Sequence, residues 1–405
     1  MTISVETNKA LSRNESLATT LLGIVNSLPD YFPLKVDIQE SLYSLRSAIH
    51  GLRPPRVMVI GACKAGKSSL INAICGLKVA EVSDTKPETG KAEWKEYHHN
   101  GTELLHILDT RGLRESEAPR QDDSAKTPYE SIMKAVREEC PDIILFVCKA
   151  TEVHHDLSDE LSTCETILAE IKRRYQRGLP IIGVLTKCDE LAPPRVPLPT
   201  DNEKKNRNIQ EQVQSFYGYL KEREGLRFHT KEVIPTVAYA DYEDGDNGLI
   251  LPEQDERWNI TELVEAMIRC APTETRGSLA RMAHIEGFQL TVARTVVNSC
   301  SALCGFVSVN PIPGAAIPAV AVIQSFMVMY IAWLGGREFS EQSLKDFAVT
   351  TGVGVGANAG MIGIADVALK FLPGVGSLLS SGASAIATKG LGDSAVAYFL
   401  ENDRN

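Results

Sequence analysis

An excess of positive charge is missing from this chain of 405 residues. Asp and Glu number 52 against 42 Lys and Arg, so the formal net charge is −10 and the pI is near 5.4. Broad nucleic-acid binding needs a surface that neutralises phosphates, so we do not expect nucleic acid as a partner. With 43% hydrophobic and 23% charged residues, the composition is that of a globular protein, and 405 residues leave room for two or three domains.

Signals of export, of zinc binding and of internal repeats are also missing. The nine cysteines are scattered without the paired spacing of zinc sites, and a reduced, cytosolic compartment fits them best. Residues 1–15 are polar, and without an apolar segment we expect no secretory signal. No helical repeat of fixed period runs along the chain, which argues against a repeat architecture.

What is present is a GxxxxGK[ST] loop between an apolar run, residues 56–60, and a helical pattern, residues 69–75. Its two glycines let the backbone curl so that N–H groups, with the helix N-terminus, face phosphates. Lys67 is expected to reach the β- and γ-phosphates, and the Ser68 hydroxyl to bind Mg²⁺. The alternative is a glycine-rich turn before an ordinary helix. The predicted nucleotide-binding residues of this loop are Gly61, Ala62, Cys63, Lys64, Ala65, Gly66, Lys67, Ser68 and Ser69.

Two switch segments are predicted downstream of this loop. Asp109 opens a DxxG motif at the end of an apolar run, and its carboxylate is expected to act on Mg²⁺ through a water. The N–H of Gly112 is expected to sense the γ-phosphate. In the polar stretch before the motif, Thr89 is the candidate for a second hydroxyl on Mg²⁺, with Thr85 as the alternative.

The identity of the base is predicted from Thr186-Lys187-Cys188-Asp189, which follows the apolar run 181–185. A carboxylate accepts both the N1–H and the 2-amino hydrogens of guanine, whereas adenine offers no such donor pair, so Asp189 is expected to select GTP over ATP. The stem of Lys187 is expected to lie over the base. Ala238 is expected to present its N–H to the guanine oxygen, although its segment departs from the usual Ser-Ala-Lys pattern.

These motifs, in this order, resemble the translation-factor-class GTPases of the Era and tRNA-modification-GTPase group. The resemblance covers about residues 56–271, and Asp109-Thr-Arg-Gly-Leu-Arg-Glu115 is similar to that group's DTxGLRE run. It implies a six-stranded α/β GTPase domain, dependence on Mg²⁺ and hydrolysis of GTP.

The residue after DxxG is Leu113, where Ras-like enzymes use a glutamine to orient the attacking water. A leucine cannot do this, so the chain resembles the hydrophobic-substituted GTPases that recruit help from elsewhere. In the tRNA-modification GTPases that help includes a glutamate further along switch II, and the matching position here is Gln121. Glu115 and Glu117 are nearby substitutes, with a solvated acidic loop as the alternative.

Lys64 lies between the two loop glycines, next to where charge develops on the β–γ bridging oxygen. Potassium-activated relatives place an Asn there to hold K⁺, and guanylate-binding proteins of the dynamin class place an Arg that acts in cis. We therefore hypothesise that Lys64 is a built-in cation and that K⁺ gives no activation. The alternative is a lysine that points into solvent. The predicted catalytic residues are thus Lys67, Lys64, Thr89 and Gly112.

Outside the motifs, apolar residues at helical spacing predict a helical N-terminal segment, residues 1–53. Its apolar stripe is expected to pack on the GTPase domain or on the C-terminal region. A proline-rich loop and a charged helix near residues 191–225 form a predicted insertion, either a partner surface or a solvated helix. Asn259 is expected to cap a helix over 260–270, before Pro272 marks a boundary.

The C-terminal region is depleted of charge. Residues 295–336 contain no charged side chain, and residues 348–365 contain none either. The stretch 315–336 is about long enough to cross ~30 Å of hydrocarbon as a helix. A buried bundle of all-apolar helices explains the same pattern. Both interpretations stay open at this point.

Three segments of this region carry a second resemblance: Asn310-Pro-Ile-Pro-Gly314, Gln324-Ser-Phe-Met327 and Phe371-Leu-Pro-Gly-Val-Gly376. They resemble the apolar C-terminal domain of YcjF-like inner-membrane proteins, over about residues 278–401. Ala316 stands where that family is expected to have an acidic residue. The resemblance implies proximity to a membrane but no reaction.

The sequence thus predicts an α/β P-loop GTPase domain over residues 54–272, with a mostly parallel six-stranded sheet between helices, and an all-α apolar domain over residues 273–405. We expect a switch that binds GTP or GDP with Mg²⁺ and hydrolyses GTP slowly unaided. Its helical domain is expected to associate with membrane lipid, a membrane protein or further copies of the chain. The expected location is the cytoplasm, at the inner face of the cell membrane.

Three alternatives remain open. One is a dynamin-like or immunity-related GTPase that remodels membranes by self-assembly. Another is a GTP-binding scaffold with negligible hydrolysis, which Leu113 favours. The third is a ribosome- or tRNA-linked GTPase, which the lack of a basic RNA-binding module after the GTPase domain disfavours.

Overall fold

The computed structural model describes residues 35–50, 52–62, 64–80, 94–99, 102–109, 128–155, 157–194, 196–245, 248–283, 286–309, 316–351 and 381–401. Its strands are β1 (Arg56–Gly61), β2 (Trp94–His99), β3 (Thr102–Asp109), β4 (Ile143–Lys149), β5 (Ile181–Thr186), β6 (Thr230–Pro235), β7 (Ala240–Tyr242) and β8 (Ile250–Asp255). Its helices are α1 (Lys35–His50), α2 (Lys67–Cys75), α3 (Pro128–Glu138), α4 (Ser158–Tyr175), α5 (Glu203–Glu222), α6 (Ile260–Cys270), α7 (Thr273–Ala283), α8 (Glu286–Val309), α9 (Ala316–Leu334), α10 (Glu341–Thr351) and α11 (Ser381–Val396). Single helical turns follow β4 at Ala150–Glu152, β5 at Cys188–Glu190 and α5 at Glu224–Arg227.

The chain divides into two compact units. The first, here called the sheet unit, is residues 54–272, and the second, the helical unit, combines residues 1–53 with residues 273–405. Helix α1 belongs to the helical unit because Leu42, Leu45 and Ile49 lie in one buried cluster with residues of α8 and α9. Of the two packing surfaces open to the N-terminal stripe, the one used by α1 is the C-terminal region.

A six-stranded sheet forms the centre of the sheet unit, with strand order β2-β3-β1-β4-β5-β6. Neighbouring strands from β3 to β6 run parallel, and only β2 is antiparallel to its neighbour. Strands of a parallel sheet are covered on both faces and therefore consist of continuous apolar runs. Strands β4 and β5 show this, since every residue of β5 is buried and so is all of β4 except Lys149. The predicted mostly parallel sheet is confirmed.

Helix α5 lies within the predicted insertion near residues 191–225 and connects two strands of the sheet. Two parallel neighbours need a crossover connection, and α5 supplies it between β5 and β6. One face of the helix is buried through Ile209, Phe216 and Leu220, and the Phe216 ring lies 5.9 Å from the Phe146 ring of β4. The charged residues that suggested a solvated helix occupy only part of its surface, so α5 is an integral element of the sheet unit.

Asn259 precedes α6 but does not cap it. Capping requires an extended backbone that lets the side chain accept an N–H of the first helical turn. Asn259 instead has φ +62°, and its Nδ2 donates to the Pro235 carbonyl at 2.9 Å. The expected cap is wrong, and the side chain ties the start of α6 to the end of β6.

Helix α9 forms the centre of the helical unit. Every residue from 323 to 334 is buried, so this helix is surrounded by protein on all sides over that length. A helix that is apolar all round needs such an environment. Among the described residues, the one helix long and apolar enough to cross a membrane is in α8, at Gln289–Ser308, and 44% of that window is buried. Core helices of soluble proteins have the same length and composition.

Two buried polar side chains of the helical unit bond to each other. Gln324 of α9 donates through Nε2 to Thr388 Oγ1 of α11 at 2.8 Å, and the Thr388 hydroxyl donates to the Ser384 carbonyl at 2.8 Å. Gln324 is 3% exposed and Thr388 is fully buried. Since a buried amide without a partner loses the hydrogen bonds that water would give it, this pair fixes which faces of the two helices meet.

Replacing Thr388 by Val tests this pairing. Thr388→Val keeps the side-chain shape but removes the acceptor of Gln324, and it should lower the free energy of unfolding by about 1–3 kcal/mol. The double variant Gln324→Leu/Thr388→Val makes both partners apolar and should recover most of the loss. Trp333 fluorescence during urea unfolding reports the helical unit in a background with Trp94→Phe and Trp258→Phe. A double variant as unstable as the sum of the single losses would contradict the pairing.

Candidate functional site

The predicted motif residues meet at one edge of the sheet. Because β1, β3, β4 and β5 are parallel, their carboxyl ends lie at the same edge. Val59 pairs with Asp109, Gly61 with Val147, and Lys149 with Thr186. The loop after β1, the aspartate that ends β3 and the threonine that ends β5 are therefore neighbours in space.

The phosphate loop is described at residues 61–62 and 64–68, and it leads into α2. Ala65 N–H donates to the Ala62 carbonyl at 3.3 Å, and both Lys64 (φ +62°) and Gly66 (φ +80°) have left-handed backbones. The helical ladder begins where Leu70 N–H donates to the Gly66 carbonyl, so the N–H groups of residues 66–69 lie ahead of it. Ser68 and Ser69 lie in this first turn, half-buried. The turn has the geometry of an anion cradle.

The charge at this cradle is positive. No acidic residue lies in the first turn of α2, so nothing there compensates the positive end of the helix dipole. Lys67 adds a cation: its Nζ donates to the carbonyls of Ala62 at 2.9 Å and Gly61 at 3.2 Å, which holds the ammonium at the start of the same loop. Lys64 is exposed. The cradle is therefore suited to a polyphosphate.

The base loop, residues 186–194, is bonded directly to the phosphate loop. Thr186 is 1% exposed, and its Oγ1 donates to the Ala65 carbonyl at 2.7 Å and lies 3.3 Å from the Cys148 carbonyl oxygen. Beyond it, Lys187 has φ +55° and the turn Cys188–Glu190 follows. Asp189 is exposed and Lys187 is half-buried. The structure thus brings Thr186 and Lys187 to the phosphate loop, where a Cβ at Gly66 would lie 3.8 Å from the first and 3.9 Å from the second, and Asp189 follows in the same base loop.

Two neighbouring strands hold the base loop from either side. Glu190 pairs with Lys149 of β4 at 2.7 Å, and this hydrogen bond raises the pKa of Lys149. Cys188 N–H donates to the Thr236 carbonyl at 3.2 Å, just past β6. Burial raises the pKa of the Cys188 thiol to about 12, so the thiol stays protonated and unreactive at neutral pH. Ala238 lies half-buried two residues beyond Thr236.

Several predicted residues fall on parts of the chain outside the described residues. These are Cys63 of the phosphate loop, Thr89 of the first switch segment and Gly112 of the second. For Asp109 the backbone is described, at the end of β3, but not the side chain. Their predicted roles stay predictions.

Asn72 is a residue that the motif reading did not identify. It is fully buried in α2, where its Oδ1 accepts the N–H groups of Val79 at 3.0 Å and Ala80 at 2.6 Å, and its Nδ2 donates to the Ala80 carbonyl at 2.8 Å. Asn72 therefore anchors the chain directly before the segment that contains Thr89. The available signal was a polar residue among the apolar positions of a helix.

Solved structures of nucleotide-binding proteins show weak overall likeness to this chain. Arabidopsis thaliana Toc33 in complex with Mg²⁺ and GMPPNP is 16% identical and matches over 62% of this chain and 95% of its own, with a TM-score of 0.36. Aquifex aeolicus Era bound to GDP and AlF₄⁻ is 18% identical over 62% of this chain and 68% of its own, with a TM-score of 0.34.

Sequence relatives are more similar to this chain than those structures are. The tRNA modification GTPase MnmE of Francisella philomiragia is 30% identical over 179 residues, which are 44% of this chain and 36% of that protein. MnmE of Proteus mirabilis is 31% identical over 134 residues, 33% of this chain and 27% of its own. The chain thus spans about a third of the length of the curated relatives it matches.

The family model of the 50S ribosome-binding GTPases matches residues 56–187. That segment contains the phosphate loop with its charged cradle, the DxxG aspartate and Thr186, whose hydroxyl joins the two loops. Residues 56–187 are thus similar to the 50S ribosome-binding GTPases and to part of MnmE, and they form a GTP-binding, GTP-hydrolysing P-loop domain.

Proposed function

We propose that this chain is a GTP-hydrolysing switch whose helical unit carries the response to the nucleotide. The observation that supports the proposal most is the bonded pair of loops at one sheet edge, a positively charged phosphate loop and a base loop that ends in an exposed Asp189. The rest of the chain is an apolar helical unit with no counterpart to this site among its described residues. The tRNA modification named for the relatives is not carried over to this chain.

In this proposal GTP and GDP bind with Mg²⁺ at the carboxyl edge of the sheet. The N–H groups of residues 66–69 and Lys67 hold the phosphates, while Ser68 supplies one hydroxyl for the metal and Thr89 a second. Asp109 orients a water on the metal, and the Gly112 N–H reports the γ-phosphate. The cradle fits this group because the first turn of α2 carries no acidic residue that would repel a phosphate.

Base selection is tested by replacing Asp189 with Asn. Guanine loses its acceptor for N1–H and the 2-amino group, so affinity for GTP should fall about a hundredfold. Affinity for xanthosine triphosphate should rise, because its 2-oxo group accepts a hydrogen bond from the new amide. Isothermal titration calorimetry with both nucleotides measures this. Asp201→Asn, at an exposed position of the adjoining segment, is the matched control. Unchanged GTP affinity in Asp189→Asn rules out the assignment.

Lys64 is proposed as the built-in cation of the hydrolysis step. Its backbone is left-handed (φ +62°) and its side chain is exposed, so the ammonium is at the open side of the phosphate loop rather than in the protein interior. A fixed positive charge near the bridging oxygen stabilises the charge that develops there as the γ-phosphoryl group leaves.

The two alkali cations and one substitution decide the role of Lys64. Turnover of the wild-type protein should be equal in K⁺ and Na⁺. Lys64→Ala should lower turnover by about a thousandfold, as removal of an arginine finger does, with nucleotide affinity little changed. Lys78→Ala, which removes an exposed lysine of the same unit, is the control. Potassium stimulation of the wild type, or full activity in Lys64→Ala, would contradict the proposed role of Lys64.

The helical unit is proposed to associate with a membrane or with further copies of the chain, at the inner face of the cell membrane. Supporting this is the absence of charged residues from 295 to 336, together with the window Gln289–Ser308 of α8, which is long and hydrophobic enough on average to cross a membrane. Ordering of the switch segments by GTP would shift the unit between two packings.

Co-sedimentation tests this association. The protein is mixed with vesicles of phosphatidylethanolamine and phosphatidylglycerol in the presence of GDP, a non-hydrolysable GTP analogue or no nucleotide, and its mass in solution is followed without lipid. Pelleting or self-association should be greater with the GTP analogue than with GDP. Lys67→Ala, which removes the phosphate-binding ammonium, should abolish that difference. Tubulated vesicles would favour the dynamin-like alternative, and identical behaviour in every nucleotide state contradicts the switch.

A further inference from the structure

A fully buried lysine lies directly behind the base loop. Lys205, in the first turn of α5, has no exposed surface. Its Nζ donates to the backbone carbonyl of Asp189 at 2.7 Å, to that of Leu191 and to that of Pro193, the last at 3.4 Å. A lysine ammonium has three donors, and here all three reach carbonyls of the base loop.

Other side chains of the same helix start reinforce this arrangement. Asn208, one turn further along α5, donates through Nδ2 to the Ala192 carbonyl at 2.6 Å. Asn202 caps α5 by accepting the Lys205 N–H at 3.0 Å, which fixes the backbone from which the lysine extends. Four carbonyls of residues 189–193 are thus held from a helix that is itself anchored in the core through Phe216 and Leu220.

Burying the Lys205 ammonium costs the favourable hydration that the cation would have in water. Burial lowers the pKa of Lys205 below the ordinary lysine value, and the negative charge of Asp189 partly offsets that effect. Since hydrogen bonds from a charged donor are stronger than neutral ones, three of them compensate the lost hydration. Helix attachment alone does not need a cation, because an apolar side chain like Ile209 serves that purpose.

We propose that Lys205 is a positioning residue for guanine selection: it fixes the backbone of Asp189 so that the exposed carboxylate meets the N1–H and 2-amino edge of the base. The inference rests on the base-reading role proposed for Asp189. The Lys205 ammonium donates to the Asp189 carbonyl at 2.7 Å, and the Asp189 carboxylate extends from that same residue. A two-bond contact tolerates little displacement, so the clamp determines selectivity as well as affinity.

The experiment compares GDP with IDP, which lacks only the 2-amino group. The measured quantity is the dissociation constant of IDP divided by that of GDP, obtained by calorimetry on the full chain. A fall in this ratio is a loss of selectivity for guanine. Lys205→Met keeps the length of the side chain but removes all three donors, and it should lower the ratio about tenfold, equivalent to about 1.4 kcal/mol. Lys204→Met, its exposed neighbour, should leave the ratio within about twofold of the wild type.

A larger loss of affinity for GDP than for IDP distinguishes a positioning role of Lys205 from a merely structural one. If Lys205 only stabilises α5, Lys205→Met weakens GDP and IDP by the same factor, the ratio does not move, and the proposal is overturned. Lys205→Gln keeps an N–H donor for one carbonyl without the charge and should give a smaller fall. It is the variant to read, against the same criterion, where thermal unfolding shows that Lys205→Met does not fold.

Asp189→Asn, measured in parallel, separates the two levels of the inference. If Asp189→Asn leaves base preference at the wild-type value, the base-reading assignment itself is wrong. If Asp189→Asn changes the preference and the Lys205 variants do not, Asp189 reads the base without help from Lys205, and only the present inference fails.

Discussion

The hydrogen bond from Thr186 Oγ1 to the Ala65 carbonyl, buried and 2.7 Å long, joins the two loops on which the nucleotide site depends. The bond spans the carboxyl end of β4, the strand between β1 and β5, and the Cys148 carbonyl of β4 lies 3.3 Å from the same hydroxyl. Strand spacing, which hardly varies between sheets, therefore sets the distance between phosphate binding and base reading. Neither loop has to fix that distance by its own conformation.

The close spacing of neighbouring strands also explains why one position of the phosphate loop is a glycine, without reference to a ligand. Gly61 ends β1 beside Val147 of β4, and a Cβ at Gly61 would lie 2.3 Å from the Val147 carbonyl oxygen. Gly66 differs, because its left-handed backbone (φ +80°) turns the chain into α2. One glycine of the motif thus serves the packing of the sheet and the other serves the turn.

The elements that could be predicted from the sequence are those encoded by a short stretch of neighbouring residues. The apolar runs 56–60 and 181–185 became β1 and β5, and the loop motif fell between a strand and a helix. The sequence patterns did not predict the buried positions of Lys205 and Asn72, because charged and polar side chains are normally expected to be exposed. Whether such a side chain is buried depends on carbonyls or N–H groups that a distant segment supplies, and these are known only once the chain has folded. The prediction that Asn259 caps α6 was wrong for the same reason, because its side chain bonds to the carbonyl of the distant Pro235.

The helical unit shows where composition stops being informative, since lipid and a protein core are equally apolar around a helix such as α9. Its buried polar side chains are more specific. Gln289 of α8 donates to the Leu334 carbonyl at the end of α9 at 2.8 Å, and Gln324 is paired with Thr388 of α11. Separating these helices in lipid would leave both amides without hydrogen-bond partners, whereas in water they would bond to solvent at the loss of the pairing. A response of this unit to GTP that keeps those pairs together must therefore act through surfaces outside the α8–α9–α11 contacts.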